Sequence, residues 1–231
     1  MEYIDLTYKL KNEIPEYPGD PKTKLDYFKK ADETDSSTLF KLETGLHTGT
    51  HMDSPFHYIT NGKKISQLPL ENFIGEASIN YVESKSKEIL VKNCNLKNSK
   101  EKIAIIITGW GEYFGSKKYF YENPYISNEL VDMIIEKNIK GIAIDTCSVD
   151  KYGENTIHKK LLENNVWIVE NITNCDDLNK TKYNSFFIPL NIEAEASPVR
   201  AFLKKRLKKR DYFLLNRFFS NLNGGVLSIV S

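Results

Sequence analysis

The side chains best suited to chemistry lie in one stretch, His47-Thr48-Gly49-Thr50-His51-Met52-Asp53-Ser54-Pro55-Phe56-His57, which holds all but one of the chain's four histidines. His47, His51, Asp53 and His57 all stand at odd positions, and odd positions of an extended chain share one face. A straight strand of this length would span roughly 33 Å, too long for one small site. The segment must therefore bend. Gly49 can take an unusual backbone angle and Pro55 can fix a turn. A bent loop that gathers imidazole nitrogens and a carboxylate offers the donors of a zinc-like metal site. A helix would also bring His47 and His51 together, as in zinc proteases. Thr48, Gly49, Thr50 and Pro55 oppose it, and no glutamate directly follows His47.

Two further residues stand apart from this stretch. Glu170 ends a run of apolar residues, Val166-Trp167-Ile168-Val169. A carboxylate there is costly unless it is paired with a cation, such as a lysine, or bound to a metal. His158 opens a short helix-like segment, 159–164, and by itself reads as a surface residue at a helix start.

The elements that must position these groups read as alternating strands and helices. Residues 3–10, 25–30 and 38–44 read as strands leading into the histidine stretch, and 77–82 as a strand after it. The Tyr17-Pro18-Gly19-Asp20-Pro21 segment is a rigid loop. Ile103-Ala104-Ile105-Ile106-Ile107 has the continuous β-branched character of a strand buried on both faces. Residues 119–124 read as an aromatic loop and 127–138 as a helix capped by Ser127. Strands follow at 139–144, 166–169 and 186–190. Strand, helix and strand in close succession predict an α/β fold with some parallel pairing.

Composition narrows the class. The 231 residues, 40% hydrophobic, suit one domain with a sizeable core. The net charge of +1 hides an asymmetry: from Leu203 onward seven basic residues face Asp211 alone, a net +6, which leaves −5 on residues 1–202. We therefore read a domain over 1–202 and a basic extension over 203–231. Cys94, Cys147 and Cys175 form no Cys-x-x-Cys pair, which fits a reducing cytoplasm. The acidic N-terminus lacks a signal-peptide core, and no stretch is long and apolar enough to span a membrane.

The pattern His-x-Gly-Thr-His-x-Asp-x-Pro-x-His resembles the signature of the metal-dependent cyclase-like hydrolases, the family that includes bacterial kynurenine formamidases. Further similarities are Pro18-Gly19-Asp20, Thr108-Gly109-Trp110, Asp145 through Ser148 to Asp150, His158 followed by Leu161-Leu162, Glu170, and Pro198-Val199-Arg200. The resemblance covers about residues 3–202. It implies a swivelling β/β/α fold and two divalent metal ions, Zn2+ with Mn2+ as the alternative. One ion would take His47, His51 and Asp53, and the second His158, with Asp53 and Glu170 bridging. His57 would then be free for general acid–base work, or would serve as a further ligand. The implied reaction is hydrolysis of an amide C–N bond, with N-formyl-L-kynurenine giving kynurenine and formate. A cyclic amide of the isatin type is the alternative. Tyr17 stands where the family carries a substrate-facing tryptophan. The resemblance also implies a small-molecule substrate and a homodimer; the near-neutral net charge and the lack of a long apolar stretch point to no nucleic-acid or membrane partner.

Two other readings remain open from residues alone. Cys147, after a buried strand, could be the nucleophile of a cysteine hydrolase. A non-catalytic metal-binding module could use the basic tail, in which Leu203, Leu207, Leu214, Phe218 and Leu222 stand at near-helical spacing.

Overall fold

The computed structural model of the protein describes residues 3–31, 36–82, 87–96, 100–176, 178 and 182–206. In chain order the strands are β1 (Tyr3–Asp5), β2 (Lys24–Lys29), β3 (Leu39–Glu43), β4 (His51–Asp53), β5 (Ile74–Tyr81), β6 (Glu88–Ile89), β7 (Ile103–Ile107), β8 (Tyr125–Ile126), β9 (Gly141–Ile144), β10 (Trp167–Glu170), β11 (Tyr183–Pro189) and β12 (Ala196–Lys205). The helices are α1 (Lys117–Tyr121), α2 (Asn128–Glu136) and α3 (Thr156–Glu163).

The architecture is mixed α/β, built on a closed, barrel-like ring of seven strands. Around it run β12, β11, β5, β7, β9, β10 and β4, and β4 pairs back onto β12. The four strands β5, β7, β9 and β10 are parallel, and the remaining pairings are antiparallel. One edge of β12 serves two strands: Ala196–Pro198 pairs with β4 and Phe202–Lys204 with β1. The pairs β2–β3 and β6–β8 form small separate sheets.

The continuous apolar run at 103–107 has a direct cause. Ile103, Ile105 and Ile107 join the cluster inside the ring, with Met52, Trp167, Val169, Phe187 and Leu203. Ala104 and Ile106 face the other way and pack with Leu130, Val131 and Ile134 of α2 and Leu161 and Leu162 of α3. Both faces of the strand are thus buried, so no polar alternation survives. Ser127 caps α2 by accepting from Leu130 N.

Several boundaries differ from the sequence expectation. The first strand ends at Asp5 rather than residue 10, because the chain leaves β12 to bridge Ile172 at Thr7 and reach Thr50 at Tyr8. Part of the aromatic loop is helix α1, capped by Ser116. Helix α3 starts at Thr156, which puts His158 in its first turn. The last strand runs to Lys205 with Leu203 fully buried, past the residue 202 at which the charge pattern changes. Leu207, Leu214, Phe218 and Leu222 lie outside the described residues. Among the described residues no helix is long and apolar enough to cross a membrane.

Gly141 marks a close approach that shapes the ring. It pairs with Trp167 across β9 and β10, and a Cβ at 141 would sit inside the indole. Trp167 cannot retreat, because its Nε1 donates to Asn72 O at 3.1 Å and its ring fills the interior beside Phe187. Gly141→Ala should therefore cost about 1–3 kcal/mol through overpacking. A lower denaturant midpoint at unchanged m-value checks this, and an unaltered midpoint would contradict it.

Candidate metal centre

Strand β4 is only three residues long, yet it carries two of the candidate ligands. It is held on both sides, with Glu170 opposite His51 and Ile168 opposite Asp53 on β10, and Ala196 opposite Asp53 on β12. Alternation turns Met52 into the ring interior and His51 and Asp53 outward. That outward face also carries Glu170, and α3 brings His158 over it. Odd-position sharing thus holds within β4. His47 and His57 return to the same place through turns: Gly49 takes φ 61, and Pro55 opens a single 3-10 turn that ends at His57.

The distances define one compact cluster. His51 Nε2 lies 3.6 Å from Asp53 Oδ1 and 3.6 Å from Glu170 Oε2. His158 Nε2 lies 3.4 Å from Asp53 Oδ2 and 3.2 Å from Glu170 Oε1. His47 Nδ1 is 3.0 Å from Asp53 Oδ1, and the His57 ring centroid is 4.3 Å from that of His47. Donor atoms of His47, Asp53 and His57 lie within 4.8 Å of one another, as do those of His51, Asp53 and Glu170. The structure therefore gathers all six residues: His57 lies beside His47, and Glu170 lies between His51 and His158.

The outer nitrogens of two rings are already committed. His51 Nδ1 meets Gly49 O at 2.9 Å. His158 Nδ1 meets Asp150 Oδ2 at 2.7 Å, and the same carboxylate accepts from Ile157 N and His158 N. Asp150 therefore caps α3 and orients His158 at once. In both rings Nε2 is left facing the carboxylates, the arrangement metal-binding histidines use.

Charge at the centre is unbalanced without a cation. Asp53 is fully buried, and both of its oxygens, like His51 Nε2, have no hydrogen-bond partner. The imidazoles touch it as charges without aligned N–H groups. Burial opposes ionisation, yet His47, His51 and His158 hold the Asp53 carboxyl well below the usual carboxylate range. Against the same penalty, Asp53 raises His47 to about 9, and Glu170, Asp150 and Asp53 hold His158 well above its ordinary value. His57 goes the other way: burial lowers it to about 4, with Asp53 opposing and His47, His158 and His51 assisting. The cluster takes up protons where a divalent cation would give the same compensation, and its nitrogen and oxygen donors suit such an ion.

The cluster forms the floor of a cleft of about 220 Å³ lined also by Pro15, Tyr17, Tyr58, Phe120, Cys147 and Glu154. Tyr17 stands at this cleft, edge-on to Phe120 at 6.1 Å. The Cys147 thiol points at the Tyr119 carbonyl at 3.3 Å, and burial, with Glu170 nearby, pushes its pKa up. An activated nucleophile needs the reverse. Sequence reasoning gave no role to Tyr58, Phe120 or Glu195. Tyr58 directly follows the motif, and Phe120 lies in the aromatic segment. Glu195, whose Oε1 is 3.6 Å from His47 Nε2, had no signal because β12 delivers it from a distant part of the chain.

A closed mixed barrel with an imidazole–carboxylate cluster on its outer face defines the class of this protein. The sequence matches the model of the cyclase family over residues 4–151, more than half of the chain. The chain belongs to that family. It is 29% identical over 206 residues to the kynurenine formamidase of Bacillus cytotoxicus, covering 88% of this chain and 97% of the relative. The kynurenine formamidase of Bacillus thuringiensis subsp. konkukian is 28% identical with the same coverage. Among solved structures, an isatin hydrolase bound to the product analogue thioisatinate matches with a TM-score of 0.77 at 18% identity, covering 89% of this chain and 93% of the other. A potential metal-dependent hydrolase with cyclase activity matches with a TM-score of 0.75 at 21% identity, covering 90% and 99%. At these identities the structures establish a shared fold.

Zinc titration against a competing chelator tests the donor set. His51→Ala should weaken binding by at least about tenfold, since even supporting residues carry that much. His57→Ala separates its two roles: retained affinity leaves the ring free to move protons, and lost affinity makes it a ligand. Wild-type affinity in His51→Ala would contradict the site.

Proposed function

We propose that the protein is a metal-dependent amidohydrolase that cleaves N-formyl-L-kynurenine to kynurenine and formate, with the swivelling β/β/α arrangement of its family. The observation that carries this reading is the buried Asp53 carboxylate, unbonded at both oxygens and facing three imidazoles on the floor of an aromatic cleft. Similarity to kynurenine formamidases along 88% of the chain gives the substrate class.

His47, His51 and Asp53 would hold one divalent ion, and His158, with Asp53 and Glu170, a second; zinc suits these donors, and manganese is the alternative. Ions bound there supply an activated water and a Lewis acid for the amide carbonyl. Tyr17, Tyr58 and Phe120 offer flat surfaces that seat an aryl ring and exclude water. His57, held neutral by burial, takes a proton from the attacking water and passes it to the leaving nitrogen. His57→Ala should then lower the rate roughly 10²–10⁴-fold. Asp150 and the Gly49 carbonyl keep His158 and His51 in their tautomers.

The reading extends to the rest of the chain. All the residues assigned to the site precede β12. A chain ending at Arg206 should match the full chain in kcat/KM. Three unpaired, buried cysteines accord with a reducing cytoplasm. The protein acts as a homodimer, for which the exposed apolar side chains Tyr27, Phe28, Leu39 and Phe40 of β2–β3 offer a surface; sedimentation equilibrium returning only monomer at micromolar concentration would remove this part.

Steady-state kinetics on N-formyl-L-kynurenine and on isatin test the substrate. Tyrosine presents less stacking surface than tryptophan and adds a hydroxyl. Aryl formamides should therefore be hydrolysed, and Tyr17→Trp should lower KM with little change in kcat, since the ring contributes uniform binding. Efficient opening of isatin with no turnover of any aryl formamide would replace the formamidase reading by the cyclic-amide one.

A further inference from the structure

The hydrogen bonds around Gly49 lead to a residue outside the donor set. Gly49 O receives two donors, His51 Nδ1 at 2.9 Å and Asn171 Nδ2 at 3.0 Å. A carbonyl oxygen only accepts. The ring nitrogen must therefore carry its hydrogen, and the amide must turn its NH2 group, not its oxygen, toward Gly49. In the neutral ring the lone pair of His51 then sits on Nε2, on the side of Asp53 and Glu170. The other end of the amide is also fixed, because Asn171 Oδ1 accepts from the Tyr119 hydroxyl at 2.7 Å. Tyr119 is fully buried, and its hydroxyl is 3.2 Å from Asp145 O as well.

The backbone of Asn171 ties the metal motif to the segment after β9. Its N–H donates to Thr146 O at 3.0 Å, and its carbonyl accepts from Thr50 Oγ1 at 2.6 Å. It takes φ 57, directly after Glu170. Glycine would adopt that conformation with less strain. What asparagine adds is the amide, and both ends of that amide are committed to groups around the metal motif.

We propose that Asn171, oriented by Tyr119, is a positioning residue for the metal centre: it anchors the Gly49 carbonyl and thereby fixes the tautomer and ring direction of His51. The proposal rests on the metal reading of the site. It makes the residue after Glu170 part of the machinery that sets how tightly His51 binds a cation.

The test uses the full chain and zinc ion, with affinity read by chelator competition. Asn171→Gly keeps the left-handed backbone and removes only the amide. Asn171→Asp places a carboxylate oxygen against the Gly49 carbonyl. Tyr119→Phe frees the amide while keeping the buried ring. Zinc affinity should fall about 10–100-fold in Asn171→Gly, further in Asn171→Asp, and less but in the same direction in Tyr119→Phe. A second readout is the imidazole nitrogen NMR spectrum of the zinc-free protein, with His51 assigned through His51→Gln. At a pH where the ring is neutral, the wild type should show the Nδ1–H form and the variants a mixture of tautomers, which a purely structural role would not produce. Should Asn171→Gly fail to fold, Tyr119→Phe carries the same test. Folded variants with wild-type zinc affinity and an unchanged His51 tautomer would overturn the proposal. A wild-type protein that binds no zinc would instead overturn the metal reading itself.

Discussion

Asp53 sets the constraint on which the rest of the site depends. A fully buried carboxylate without a single hydrogen bond is among the costliest groups a protein can carry. It is tolerable only if positive charge collects around it, and three imidazoles do so at 3.0–3.6 Å. Protons on His47 and His158 are one source of that charge and a divalent cation is another. The rings are oriented for the second. Two of them spend Nδ1 on outer acceptors, Gly49 O and Asp150 Oδ2, and turn Nε2 inward.

The barrel explains how a three-residue strand can hold such a group. Alone, His51–Asp53 could not fix its own register. Between β10 and β12 each of its residues has a partner on both sides, and a one-residue slip would drive Met52 out of the core and a charged side chain into it. Ring closure and site geometry are therefore one event. The helices serve the same end: α3 buries Leu161 and Leu162 on the outer face of the ring, and the same packing delivers His158. Gly141 allows β9 to approach the Trp167 ring on β10.

The parts of this arrangement legible in the sequence were those written in local pattern. The bend at Gly49 and Pro55, the buried strand at 103–107, the capped helix after Ser127 and the strand ending on Glu170 all follow from composition and spacing within a few residues. What stayed illegible depends on contacts between distant segments. Nothing near Asp150 says that its carboxylate will cap α3 in place of Asn155, which makes no side-chain cap bond. Closure of β4 onto β12 cannot be read from a run of three residues. The placement of His57 beside His47, and of Glu170 between His51 and His158, is likewise a product of the folded ring.

Anomalous diffraction from crystals grown with zinc, recorded on both sides of the zinc absorption edge, tests the central claim most directly. The account predicts two peaks in the cleft beside Asp53, with His51 Nε2, His158 Nε2 and carboxylate oxygens at about 2.0–2.2 Å from them. A cleft without anomalous density, or zinc bound only at surface carboxylates, would contradict it.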